Sequence, residues 1–241
     1  MERKFINYAH RGASDYYPEN TEPAFFTGIF MGANGLEMDL QKTADGQLVL
    51  FHDETLERVT DGVGKISDFT REELLKLDVR KNNTRGKIPT LVEIFESFSM
   101  LDLTFAIELK AEGCEGDLYE LITRYGCEEK VIVTSFNFEY LKKMREVSGS
   151  IRLGLLTSRT DGALISELSE ISAYEICPKA DTVTPELIKT WHGAGLNVRV
   201  WGVTDENLMR RVYDMGVDGM TVNFPDKLTA YIKEKEVGHE G

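Results

Sequence analysis

Glu37 and Asp39 stand one residue apart in the run Gly35-Leu36-Glu37-Met38-Asp39-Leu40, an acidic pair in an apolar setting. On a β-strand, side chains two apart share a face, so both carboxylates point one way while Leu36, Met38 and Leu40 point the other. Like charges confined together raise a carboxyl pKa unless a cation sits between them, and ligands made only of oxygen favour a hard ion such as Mg²⁺ or Ca²⁺. Glu108 and Lys110 repeat the spacing at the end of a second apolar run, Leu103 to Ile107. Two of the four histidines also sit where such runs end, His10 after Phe5–Ala9 and His52 after Leu48–Phe51. Histidine titrates near neutrality and is the commonest proton-transfer group, while Arg11 beside His10 has a fork suited to an anion's oxygens.

These side chains must be brought together from distant parts of the chain. An Asp45-Gly46 turn joins the Glu37 strand to the run carrying His52, a hairpin signal. Counting that hairpin as one unit, strands at Phe5–Ala9, Leu103–Lys110, Val131–Ser135, Ile151–Leu156, Tyr174–Cys177, Val198–Val203 and Gly219–Val222 alternate with helical patterns. Helices are expected from Asn20 or Thr21 to about Met31, Thr90 to about Met100, Gly116–Tyr125, Phe138–Val147, Ala163–Ile171, Pro185–Ala194, Glu206–Met215 and Asp226–Lys235. Eight βα units predict an α/β fold, a (β/α)₈ TIM barrel, whose sites lie at the C-terminal strand ends. The polar stretch at about 54–88 breaks the alternation, with one expected helix, Thr70–Leu77, behind a Thr70/Glu73 capping box. It reads as a small insertion after strand 2, too short for a core of its own, within a single domain over 1–241.

Composition narrows the partners. A net charge of −13 argues against nucleic acid and anionic membrane, both of which demand clustered Lys and Arg. No apolar run reaches the roughly 18 residues of a membrane span, and the start at Met1 lacks a secretory leader pattern, so a cytoplasmic protein is expected. Cys114, Cys127 and Cys177 are too widely spaced for a zinc pattern and are read as reduced and inert. Oligomeric state is not legible.

In order along the chain, His10-Arg11-Gly12, Pro18-Glu19-Asn20-Thr21, Glu37-x-Asp39, His52-Asp53 and Glu108-Leu109-Lys110 resemble the glycerophosphodiester phosphodiesterase family. The resemblance extends weakly through Ser135-Phe136 and Trp201 to Thr221-Val222-Asn223-Phe224-Pro225. It implies a TIM barrel with an insertion after strand 2, one divalent cation on Glu37, Asp39 and Glu108, and His10 and His52 as an acid/base pair. The implied reaction converts a small-molecule glycerophosphodiester to an alcohol and sn-glycerol 3-phosphate. Arg11 and Lys110 would hold phosphate oxygens, against the plainer role of balancing the acids; Phe136 and Trp201 are candidates for a substrate wall, against rim packing.

Three rivals are weighed beside this reading. One is a related phosphodiesterase acting on lysophospholipid or sphingolipid head groups; another is an aldolase-type barrel using Lys110 in a Schiff base. The third is a noncatalytic phosphodiester-binding barrel. Asp53, following His52 directly, is expected to point away from it and to be structural. His192 and His239 are expected to be solvated.

Overall fold

In the computed structural model, residues 5–239 are described, with side chains over 5–237. The chain runs β1 (Ile6–His10), α1 (Glu22–Phe30), β2 (Gly35–Lys42) and β3 (Leu48–Leu50) before the insertion. The insertion contains a 3₁₀ turn (Ile66–Asp68), α2 (Arg71–Leu74) and a two-stranded hairpin, β4 (Val79–Lys81) and β5 (Thr84–Gly86). Regular alternation follows: α3 (Leu91–Phe98), β6 (Thr104–Leu109), α4 (Glu115–Arg124), β7 (Val131–Ser135), α5 (Phe138–Val147) and β8 (Arg152–Thr157). It continues through α6 (Ala163–Glu170), β9 (Glu175–Pro178), α7 (Pro185–Gly193), β10 (Asn197–Val200), α8 (Glu206–Asp214), β11 (Gly219–Val222) and α9 (Pro225–His239).

Eight parallel strands close on themselves, because β1 pairs with β2 on one side and with β11 on the other. This is the expected (β/α)₈ barrel. Along β2 the period of two works as anticipated. Leu36, Met38 and Leu40 are buried in the main apolar core beneath the helices, with Phe25 of α1 and Leu91, Ile94 and Phe95 of α3. Each such side chain contributes about 1.5–3 kcal/mol on leaving water. The helix starts also follow local rules: Thr70 with Glu73 and Thr90 with Glu93 both form complete capping boxes. Among the described residues, no helix is long and apolar enough to cross a membrane.

The insertion differs in detail from its expectation. Helix α2 is a single turn, shorter than Thr70–Leu77, and the β4–β5 hairpin had no clear signal in its short polar strands. Leu56, Ile66, Leu74, Val79 and Ile88 do bury a small second cluster, together with Val49 and Phe51 beside and within the barrel's own hairpin.

The barrel interior holds a charged group that the sequence reading did not single out. Arg199 of β10 is buried, its Nε donating to Glu175 Oε1 (2.8 Å), one Nη to Thr221 Oγ1 (2.9 Å), and its guanidinium lying 5.0 Å from the Tyr8 ring centre. The second Nη reaches Cys177 Sγ at 3.2 Å, and burial pushes that thiol's pKa well up. All three cysteines are free and buried, in keeping with an inert role. Removing one partner of a buried ion pair strands the other charge, so Glu175→Ala should cost about 3–5 kcal/mol in denaturant unfolding. A loss below about 1 kcal/mol would mean that Arg199 finds other compensation.

Candidate active site

Backbone geometry at the strand ends gathers the sequence-selected residues. After β1 the chain turns sharply through Arg11 and Gly12, both at positive φ (54° and 82°). Gly12 has to be glycine, since a Cβ there would lie 2.4 Å from the Ala24 carbonyl carbon at the start of α1. The turn places the Arg11 amide on Glu37, donating to its backbone oxygen (2.9 Å) and to Oε2 (3.1 Å). Hairpin register explains His52: β3 runs back along β2 with Leu50 opposite Leu40, and Phe51 N donates to Asp39 O (2.9 Å). His52 thereby returns to the level of the acids. Parallel pairing sets Glu108 beside Asp39 on the neighbouring strand.

Glu37, Asp39 and Glu108 are all buried, and one oxygen from each lies within 4.8 Å of the others. Two cations face them. Arg11 Nε is 3.0 Å from Asp39 Oδ2, and Lys110 Nζ is 2.8 Å from Glu108 Oε1 and 3.5 Å from Asp39 Oδ1. Burial and then the Asp39 charge raise the Glu37 pKa to about 7 and that of Glu108 to about 8. For Asp39, burial acts upward, but Arg11 and Lys110 more than offset it and hold the group ionised. Asp39 Oδ1 is buried and accepts no hydrogen bond. A buried carboxylate oxygen that accepts no hydrogen bond, beside two further buried acids, is a donor set suited to a hard divalent cation.

Loop residues brace this cluster. Asn20 donates to Asp39 Oδ2 (2.8 Å), and Glu19 accepts from Arg11 Nη1 (2.8 Å). Both belong to the Pro18–Thr21 segment that carried part of the resemblance, yet neither was assigned a site role. Asn223, after β11, was likewise missed. Its Oδ1 accepts from His10 Nδ1 at 2.6 Å, leaving Nε2 unprotonated in the neutral ring, 3.8 Å from Glu37 Oε2. Burial and then Arg11 press the His10 pKa down to about 4. His52 is also lowered, first by burial, while Asp39 acts in the opposite direction.

Two expectations about histidine surroundings are corrected. Asp53 does not turn away from His52: its Oδ1 accepts from His52 Nδ1 at 2.5 Å, because the strand ends at Leu50 and the backbone bends over residues 52–54. His192 is half-buried at the opposite end of the barrel, with Nε2 2.7 Å from Asp218 Oδ2. The side chain of His239 lies outside the described residues.

A cavity of about 370 Å³ opens above the acids, lined by His10, Arg11, Glu37, His52, Glu108, Lys110, Phe136, Leu156, Arg199 and Trp201. Phe136 and Trp201 meet edge to face at 5.0 Å and form one wall, with Trp201 Nε1 donating to Cys177 O. A second hollow of about 550 Å³, lined by Gln41, Ser67, Asn137 and Tyr140 among others, shares His52, Glu108, Lys110 and Phe136 with the first. Nothing sets Lys110 up as a Schiff-base nucleophile. Burial acts to lower its pKa, but Asp39 and Glu108 raise it further, and a nucleophilic amine needs the neutral form.

Comparison with known proteins agrees with this geometry. Residues 10–227 match the glycerophosphoryl diester phosphodiesterase family. A glycerophosphodiester phosphodiesterase of Caldanaerobacter subterraneus subsp. tengcongensis is 35% identical over 240 residues, covering 96% of this chain and 99% of the relative. Another, from Bacillus altitudinis, is 33% identical over 91% of this chain and 95% of its own length. Among solved structures, an Oleispira antarctica phosphodiesterase in complex with the product sn-glycerol-3-phosphate superposes with a TM-score of 0.84 at 26% identity, over 95% of this chain and 96% of that one. The glycerophosphodiester phosphodiesterase of Agrobacterium tumefaciens gives 0.85 at 26% identity, over 94% and 99%. With fold, strand-end chemistry and relatives in agreement, the chain belongs to the glycerophosphoryl diester phosphodiesterase family and is an enzyme, a phosphoric diester hydrolase.

Proposed function

We propose that this protein hydrolyses small glycerophosphodiesters to an alcohol and sn-glycerol 3-phosphate, with His10 and His52 as base and acid and one Mg²⁺ or Ca²⁺ held by Glu37, Asp39 and Glu108. The observation that carries the reading is the convergence of a buried three-carboxylate cluster, two cations and two histidines on one cavity. When bound, the cation supplies positive charge beside the phosphate and polarises a P–O bond. Arg11 and Lys110 stabilise the charge that grows on the nonbridging oxygens.

The partners of the two rings divide their roles. Asn223 at His10 Nδ1 carries no charge, and the low pKa keeps His10 neutral and ready to accept a proton. Asp53 at His52 Nδ1 works against the burial that lowers this ring's pKa and stabilises the imidazolium, which suits the group that must give a proton away. His10 takes the proton of the attacking hydroxyl, water or the substrate's own glycerol oxygen, as that oxygen bonds to phosphorus. The opposite P–O bond breaks, and His52 protonates the departing alkoxide. Water attack gives glycerol 3-phosphate directly, whereas attack by the glycerol oxygen gives a cyclic phosphate. A water deprotonated by the now neutral His52 opens that cyclic phosphate at its ring P–O bond as His10 returns its proton to the freed glycerol oxygen. The two hollows, which share His52, Glu108, Lys110 and Phe136, leave room for an alcohol on either side of the phosphate, with Trp201 lining one of them.

The test is release of glycerol 3-phosphate from glycerophosphocholine and glycerophosphoethanolamine by purified protein, with EDTA and then Mg²⁺ or Ca²⁺ add-back. Release abolished by EDTA and restored by either ion is expected. No release from folded, cation-supplied protein would move the reading to a lipid head-group substrate.

A further inference from the structure

We propose that Arg58, in the insertion, is a positioning residue that ties His52 and Arg11 into one rigid unit by bridging Asp53 and Glu19. This rests on the functional reading above, since it concerns the same site. Arg58 Nε donates to Asp53 Oδ2, and Nη2 lies 3.1 Å from Asp53 Oδ1 and 2.7 Å from Glu19 Oε1. Nη1 donates to Glu19 Oε2 at 2.9 Å. One guanidinium thus grips two carboxylates, each through two bonds, an arrangement only its planar fork can make.

Each carboxylate has its other contacts inside the site. Asp53 accepts from His52 Nδ1, and Glu19 from Arg11 Nη1. Followed through, hydrogen bonds run His52, Asp53, Arg58, Glu19 and Arg11, and an ion pair at 3.0 Å continues from Arg11 to Asp39. Without Arg58, the two carboxylates that share its Nη2 would face each other across a few ångströms and repel. Arg58's hydrogen bonds are also the largest influence holding Asp53 ionised, down to about 2. An exposed ion pair alone is worth little to stability, and Arg58 is 46% exposed. Its return lies in geometry: a free Asp53 could swing to solvent and leave the His52 ring able to rotate or change tautomer. The same contact ties a polar excursion of some 35 residues (about 54–88), which also lines the second hollow through Glu54 and Ser67, to the proton-transfer groups.

Arg58→Ala should lower kcat about 10- to 100-fold in a folded protein, the cost of a misaimed proton-transfer group. In a chain already carrying Asp53→Asn and Glu19→Gln, the same replacement should cost less than about 2-fold, because the residues it acts through no longer need holding. Arg58→Lys keeps the charge but cannot span both carboxylates and should fall between alanine and wild type. The same fold-loss in both backgrounds, or wild-type kcat in either single variant, would overturn the bridge. Histidine ¹⁵N NMR provides a readout independent of turnover, with His52 identified by its loss in His52→Gln. The ring should hold the Nδ1–H tautomer in the unsubstituted protein and mix both tautomers in Arg58→Ala; an unchanged His52 spectrum would overturn the proposal. If the unsubstituted protein hydrolyses no glycerophosphodiester, the functional reading fails while this measurement still decides the role of Arg58.

Discussion

Glu37→Gln combined with Asp39→Asn should leave a folded barrel that hydrolyses glycerophosphodiesters at least about 10³-fold more slowly and no longer responds to EDTA. The amides keep side-chain volume, so no cavity opens in β2, whose outward residues Leu36, Met38 and Leu40 anchor the strand. The cations keep partners: Arg11 retains Glu19, and Lys110 retains Glu108. What is lost is charge at the point where three buried oxygens approach one another within 4.8 Å. One remaining carboxylate beside two cations offers a divalent ion little attraction, and cation catalysis worth several kcal/mol disappears with it. Calorimetric titration of Mg²⁺ and Ca²⁺ into both proteins reads the binding step directly. If the double variant retained EDTA-sensitive turnover, the ion would have to lie elsewhere.

The barrel was legible because each of its units repeats a signal that local physics makes strong. Buried parallel strands read as short apolar runs, and amphipathic helices follow behind caps such as Thr90 with Glu93. The acids were legible for a related reason: Glu37 and Asp39 interrupt an apolar strand at the one spacing that puts both on its inner face. What stayed hidden depends on loops. Glu19, Asn20 and Asn223 act through side chains whose direction is set by turns at Arg11 and Asn20, both with φ at 54°, and by the end of β11. Asp53 was misread because alternation was extended past Leu50, where the strand has already ended. Arg199 escaped notice since a cation in a core strand contradicts the apolar pattern; its partners Glu175 and Thr221 come from the two neighbouring strands. Spacing along a single strand can reveal a shared face, but not a partner supplied by a crossover.

His52→Ala and His10→Ala should each lower kcat about 10²- to 10⁴-fold with KM changed far less, since each removes a proton transfer made only in the transition state. Neither ring carries the fold: both are partly exposed at the cavity. The two losses should differ in one respect. A substrate whose leaving group is a good anion, such as a nitrophenyl ester of glycerol phosphate, needs no proton, so it should recover activity in His52→Ala but not in His10→Ala. The pH profile separates the roles again. The acid works only while protonated, so activity is lost as pH rises through the His52 pKa. Removing the negative charge next to its Nδ1 with Asp53→Asn lowers that pKa and should move the alkaline limb of kcat to lower pH, leaving the acid limb, set by His10, in place. Rescue of His10→Ala by the activated ester would exchange the two assignments, and wild-type turnover by either alanine variant would remove that histidine from the mechanism.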